Sequence, residues 1–243
     1  MCTVSFIPVP GGALICSNRD EKIQRARAIP PKWYQVNGSS LLFPKDPDAQ
    51  GSWIAMKPNG QMAVLLNGGW VKHEPAYPYR KSRGLIFLEI CSADQLIEGF
   101  EAVQLDKIEP FTVITFQDGI LQENRWDGAQ KYSRQLPASD PHIWSSVTLY
   151  DPSTIERRKS WFTNWLSENP DLNASSVLRF HEFGGEGDQE NDLLMNRRNE
   201  MLTVSITCME WNRDTACMYY TDLQSREQFE FRLDALSLSE LSS

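Results

Sequence analysis

Cys2 follows the initiator methionine in a chain of 243 residues, and a cysteine there is a candidate N-terminal nucleophile. Methionine is normally removed when residue 2 is small, which would leave a thiol and a free α-amine on one residue. That pair needs no histidine, because the amine, with an unperturbed pKa of roughly 7.7–8.0, can serve as the base. Further on, Asn18-Arg19-Asp20-Glu21 brings in charge. An arginine beside a thiol lowers its pKa and enriches the thiolate, and Asp20 could hold the amine by accepting its hydrogen bonds. Asn67 carries a side-chain amide of the kind that donates to an oxyanion. The chemistry implied is cleavage of an amide: thiolate attack on the carbonyl, a thioester, and transfer of the thiol proton through the amine to the leaving nitrogen.

Taken singly, each residue has a plainer reading. Cys2 can be incidental, Arg19 and Asp20 an exposed ion pair at a strand end, and Asn67, before Gly68-Gly69, a turn residue. Cys16, Cys91, Cys208 and Cys217 read as small core residues. Only the combination argues for chemistry. Composition is that of a soluble globular protein, with 41% hydrophobic and 23% charged residues. A net charge of −8 argues against nucleic acid or an anionic membrane as partner. No apolar run approaches the roughly eighteen residues of a transmembrane helix, and no basic segment opens a signal peptide. Five cysteines without close pairing read as reduced thiols in a cytoplasmic protein. His73, His142 and His181 have no ligand spacing and read as surface or loop residues, so no metal is expected.

The elements that must position these residues follow from punctuation and periodicity. Residues 3–9 and 13–17 form a hairpin about Pro10-Gly11-Gly12. The prolines of 22–50 suggest an ordered loop with one short strand at 40–43. Gly51-Ser52-Trp53-Ile54-Ala55-Met56, the turn at Asn59-Gly60 and the apolar run to Asn67 make a second hairpin, its later arm covered on both faces. A helix begins at Arg83, and Ser92 with Gln95 fits a capping box opening another through Val103. Strands follow at 111–116, 120–126 and 143–149. Ser153 with Glu156 suggests a capping box for a helix to about Glu168, and residues 173–183 a further helix stopped at Gly184-Gly185. An acidic loop spans about 184–192, strands close the chain at 202–210, 215–221 and 228–233, and a tail of 235–243 frays. Blocks of strands alternating with pairs of helices predict an α+β fold over 1–243 as one domain, a four-layer α/β/β/α sandwich of two largely antiparallel sheets.

Cys2, the hairpin ending in Asn18-Arg19-Asp20-Glu21, Gly51-Ser52-Trp53 leading through Gly60 to Asn67, and Ser82-Arg83-Gly84 together resemble the NRDE family of transport and Golgi organisation proteins. The resemblance implies a fold like that of the N-terminal-nucleophile hydrolases, with bile salt hydrolases and penicillin V acylases as enzymatic relatives. It carries the nucleophile onto Cys2, the nearby arginine onto Arg19, the amine-binding aspartate onto Asp20 and the first oxyanion asparagine onto Asn67. The enzymes' second asparagine falls within 143–149, where this chain has Ser145-Ser146. Their late arginine falls on Arg197 or Arg198. The expected substrate contacts are thus Asn18, Trp53, Ser145, Ser146 and Arg198. Three functions follow: an amidase for a small-molecule amide without cofactor, a non-catalytic carrier of a hydrophobic ligand such as haem or lipid, or a structural or trafficking partner on the same fold. Oligomeric state is not implied.

Overall fold

The computed structural model describes residues 3–212 and 215–234; Cys2 and the tail 235–243 lie outside the described residues. The first hairpin sets the layout. β1 (Thr3–Val9) and β2 (Gly12–Lys22) pair antiparallel, Phe6 opposite Ile15 and Thr3 opposite Asn18. Side chains alternate across a strand, so Val4, Phe6, Ala13 and Ile15 enter one core while Ile7, Leu14 and Cys16 enter another. A strand buried on both faces must lie between layers.

Those layers are two antiparallel sheets, each with a pair of helices on its outside. Among the described residues the first sheet runs β10 (His142–Ser145), β1, β2, β12 (Met201–Trp211), β13 (Thr215–Asp222), β14 (Gln228–Asp234), with the short β11 (Asn196–Arg197) also paired to β12. The second runs in chain order through β3 (Ile29–Val36), β4 (Ser39–Lys45), β5 (Ile54–Met56), β6 (Met62–Asn67), β7 (Phe111–Gln117), β8 (Ile120–Trp126) and β9 (Lys131–Leu136). Helices α1 (Arg83–Cys91) and α2 (Leu96–Ala102) pack Ile86, Phe87 and Phe100 into the core that both sheets share. Helices α3 (Pro152–Glu168) and α4 (Ala174–Phe183) cover the first sheet with Phe162, Val177 and Phe180. The four-layer α+β sandwich is therefore as the element order implied. No helix among the described residues is long and apolar enough to cross a membrane.

Several local expectations are corrected. The prolines at 30 and 31 do not exclude a strand: β3 is an edge, where missing N–H groups cost the sheet nothing, and its register slips between Ile29 and Lys32. β9 gave no apolar alternation because it is the polar edge on the other side. Ser92 closes α1 instead of opening α2. The cap of α3 is Asp151, whose carboxylate accepts from the Thr154 N–H at 2.7 Å with Pro152 behind it, not Ser153. The strand read at 143–149 ends at Ser145, where the Ser146 carbonyl turns the chain by accepting from the Leu149 and Tyr150 N–H groups.

Candidate functional site

Arg19 continues the β2 face that carries Ala13 and Ile15, so its guanidinium points between the sheets. Burial there requires partners, and Asp46 supplies one at 2.8 Å with Glu21 at 3.5 Å. The guanidinium also lies over the Trp53 ring, 4.4 Å from its centroid. Burial alone would raise the Asp46 carboxyl, but the Ala49 N–H, Arg25 at 2.8 Å and Arg19 hold it below the usual range. Arg19 is thus a buried, fixed cation in a cleft of about 950 Å³ that it shares with Trp53, Asn67, Tyr77, Tyr79 and Arg83.

Asn18 and Asp20 point the other way, toward α3 and α4. Arg19 and Asp20 are both 4% exposed and do not form the exposed ion pair of the plainer reading. The two Asp20 oxygens accept from Tyr150 Oη–H and Thr203 Oγ1–H, each at 2.6 Å. Asn18 is absent from the cleft: its amide donates to the His181 and Leu193 carbonyls at 3.0 and 2.6 Å. Its carbonyl meets His181 Nδ1 at 2.5 Å. The expected substrate contact is therefore a structural tie between β2 and α4.

His181 is likewise no surface residue. It is fully buried, with Nε2 2.7 Å from Ser5 Oγ. Desolvation, and then the positive charge of Arg158, push its pKa down to about 3. The unfolded chain binds this proton near pH 6.5 and the folded chain does not, so stability falls as pH drops below 6.5, by about 1.4 kcal/mol per pH unit down to about 3. Urea unfolding should therefore show roughly 2 kcal/mol less stability at pH 5 than at pH 7, a window above the range in which carboxylates titrate. In His181→Gln the slope between pH 5 and 6.5 should flatten; an unchanged slope would place the titration elsewhere.

The strand ends converge at one edge of the sandwich. Thr3, the residue after Cys2, lies opposite Asn18 on one side and Ser145 on the other. Ser146 Oγ donates to the main-chain carbonyl of Asn67 at 2.8 Å, tying the end of β10 to the end of β6. The Asn67 side-chain amide has no partner among the described residues and borders the cleft. Gly68 follows at φ 87°, where a Cβ would lie 2.6 Å from Val147 Cγ2, so only glycine lets the chain turn here. The Gly51-Ser52-Trp53 and Ser82-Arg83-Gly84 segments also meet: a Cβ on Gly51 would stand 2.4 Å from the Gly84 carbonyl carbon. Trp53, which closes the first of these segments, is the ring beneath Arg19.

Arg198 is not brought in; its side chain is 84% exposed, with Glu190 at 3.7 Å. The neighbouring Arg197 reaches the site instead, donating to the Leu149 carbonyl at 3.0 Å. Sequence reasoning missed Tyr150, Arg158 and Asp46. For Arg158 a signal existed, because Thr154, Arg158 and Phe162 recur every four residues and are the buried stripe of α3. Ser145 carries a half-buried side chain beside Thr3. Cys16 and Cys208 are opposite one another and buried, and desolvation followed by the Cys208 neighbour raises the Cys16 thiol far above its ordinary range, which disfavours a thiolate there.

The family model described as Transport and Golgi organisation 2 matches residues 1–184. No curated protein matches the chain. Among solved structures, a cysteine-to-alanine variant of conjugated bile acid hydrolase from Clostridium perfringens is similar at TM-score 0.59 and 11% identity, covering 97% of this chain and 93% of that one. An arginine-to-leucine variant of the same hydrolase gives TM-score 0.60, 11% identity, and 95% and 92% coverage. The Caenorhabditis elegans orthologue of N-acylethanolamine-hydrolyzing acid amidase gives 0.57, 15%, and 86% and 92%. At these identities what is shared is the fold.

Proposed function

From the premise that the chain belongs to the Transport and Golgi organisation 2 family, we propose that it is a cysteine N-terminal-nucleophile amidohydrolase acting on a non-peptide C–N bond. One observation carries the reading. Among the described residues β1 opens at Thr3, next in sequence to Cys2 and opposite Asn18, so Arg19 and Asp20 follow on β2 directly after that pair with one side chain on each face. The solved structures of similar fold include a conjugated bile acid hydrolase and an N-acylethanolamine-hydrolyzing acid amidase, which supports a hydrolytic reading.

In this mechanism the Cys2 sulfur bonds to the amide carbonyl carbon and the carbonyl π pair moves to oxygen, where the Asn67 amide donates to it. The thiol proton passes to the α-amine, held by Asp20, and then to the leaving nitrogen as the C–N bond breaks. Water adds to the thioester, the C–S bond breaks, and acid and thiol are restored. Arg19 favours the thiolate through its charge. Ser146 does not replace the second asparagine of the enzymes, since its hydroxyl proton is used on the Asn67 carbonyl; Ser145 is the remaining donor.

The test is chemical. Intact mass should show Met1 removed, and a thiol-directed probe should label Cys2 ahead of Cys16, Cys91, Cys208 and Cys217, all of them buried. Retained methionine sinks the amidase. A second reading, a carrier of a hydrophobic ligand such as haem or lipid, is favoured by a pocket of about 720 Å³ walled by Trp70, Val71, Leu149, Pro152 and Ile155. Trp70 and Val71 stand 50% and 71% exposed at its rim. A spectral titration with haem separates the two: binding equal in wild type and Cys2→Ala, with no amide turnover, supports the carrier.

A further inference from the structure

We propose that Tyr150 is a positioning residue that fixes the Asp20 carboxylate at the start of β1, working from beneath two guanidinium groups that have no carboxylate partner among the described residues. The proposal rests on the amidase reading and adds to it the part that orients the base.

Tyr150 is only 3% exposed, set by the turn in which its N–H bonds the Ser146 carbonyl. Its hydroxyl donates to one oxygen of Asp20 while Thr203, the cross-strand neighbour of Asp20 on β12, donates to the other. With both oxygens engaged at 2.6 Å, the plane of the carboxylate is set and it cannot swing about its χ2 axis. Neutral donors do this without cancelling the charge, so the carboxylate stays available to an ammonium group.

The ring side of Tyr150 is equally determined. Arg158 lies 3.6 Å and Arg197 5.1 Å from the ring centroid. Arg158, fully buried, gives its remaining hydrogen bonds to the Asn191 and Asp192 carbonyls and to Thr3 Oγ1. Arg197 gives its own to the Leu149 and Glu190 carbonyls and Asn191 Oδ1. Two cations over a phenol strengthen its O–H as a donor. Arg158 also joins Tyr150 to Thr3, so the residue following Cys2 and the residue that holds Asp20 share one guanidinium. Tyr150 is therefore coupled to the start of β1 from both its ring and its hydroxyl.

The experiment follows Cys2 itself, so it needs no substrate. Iodoacetamide labelling of Cys2, quantified by peptide mass mapping from pH 5 to 9, is measured in wild type, Tyr150→Phe, Asp20→Asn and the double variant. Phenylalanine keeps the ring and its cation contacts and removes only the hydroxyl. We expect Tyr150→Phe to slow Cys2 labelling at neutral pH by about tenfold, the worth of one pKa unit, in a variant that still folds and melts a few degrees lower for the loss of one buried hydrogen bond. In the Asp20→Asn background the same change should have no further effect, because Tyr150 acts through Asp20. An equal effect in both backgrounds, or none in either, overturns the proposal while leaving the amidase standing. Wild-type Cys2 no more reactive than free cysteine overturns the amidase reading and this proposal with it.

Discussion

Asn67→Ala is expected to lower kcat for amide hydrolysis by a factor on the order of 10²–10³ and to leave stability within about 0.5 kcal/mol of wild type. The asymmetry comes from what its two ends do. Its main chain closes β6 by pairing with Phe111, and its carbonyl accepts the Ser146 hydroxyl, and an alanine retains both. Its side chain has no partner among the described residues and borders the cleft that holds Arg19 and Trp53. A donor aimed at developing charge contributes in the transition state and little to the resting fold. Steady-state kinetics on an N-acyl amide beside a urea titration would read both quantities. A large stability loss with the turnover per folded molecule intact would make Asn67 a turn residue and remove it from the mechanism.

Asn18→Ala should give the reverse signature, a loss of about 3–5 kcal/mol in stability. Three buried groups would lose a partner at once: the His181 carbonyl, the His181 ring nitrogen at Nδ1, and the Leu193 carbonyl, which keeps only a 3.3 Å contact from Thr203 Oγ1. Each buried group left without a partner costs about 1–3 kcal/mol, and the sum falls short of additive because they share one site. Urea unfolding measures it, with the folded variant keeping Cys2 reactivity because Asn18 faces away from the cleft. A loss under about 1 kcal/mol would mean that water or Ser5 takes over its bonds.

These two asparagines show where sequence reasoning reached and where it stopped. Both were marked from the chain alone, as were Arg19 and Asp20, because polar types stand out at a hairpin end and after a buried apolar strand. Residue type alone does not give their roles, because an amide looks the same whether it faces substrate or a helix. In β2 the usual guide fails, since residues 13–20 are buried on both faces and their alternation carries no contrast between core and solvent. Leu14, Cys16, Asn18 and Asp20 face one layer and Ala13, Ile15 and Arg19 the other, and nothing in their chemistry says which layer is which.

The partners were less legible still. Asp46 meets Arg19 across 27 positions, Tyr150 meets Asp20 across 130, and His181 meets Asn18 across 163. Such pairs have no common period and arise only when the segment after β4, the turn after β10 and α4 pack against the first hairpin. By itself the sequence determined most of the helices and strands, the two hairpins and the layered sandwich, and marked residues whose types suit chemistry, because periodicity and turn residues act locally. The tertiary structure decided that Arg19 serves the cleft, that Asp20 is clamped from the helix side and that Asn18 is internal. Those outcomes depend on which layer covers each face of β2, and only the packed chain specifies that.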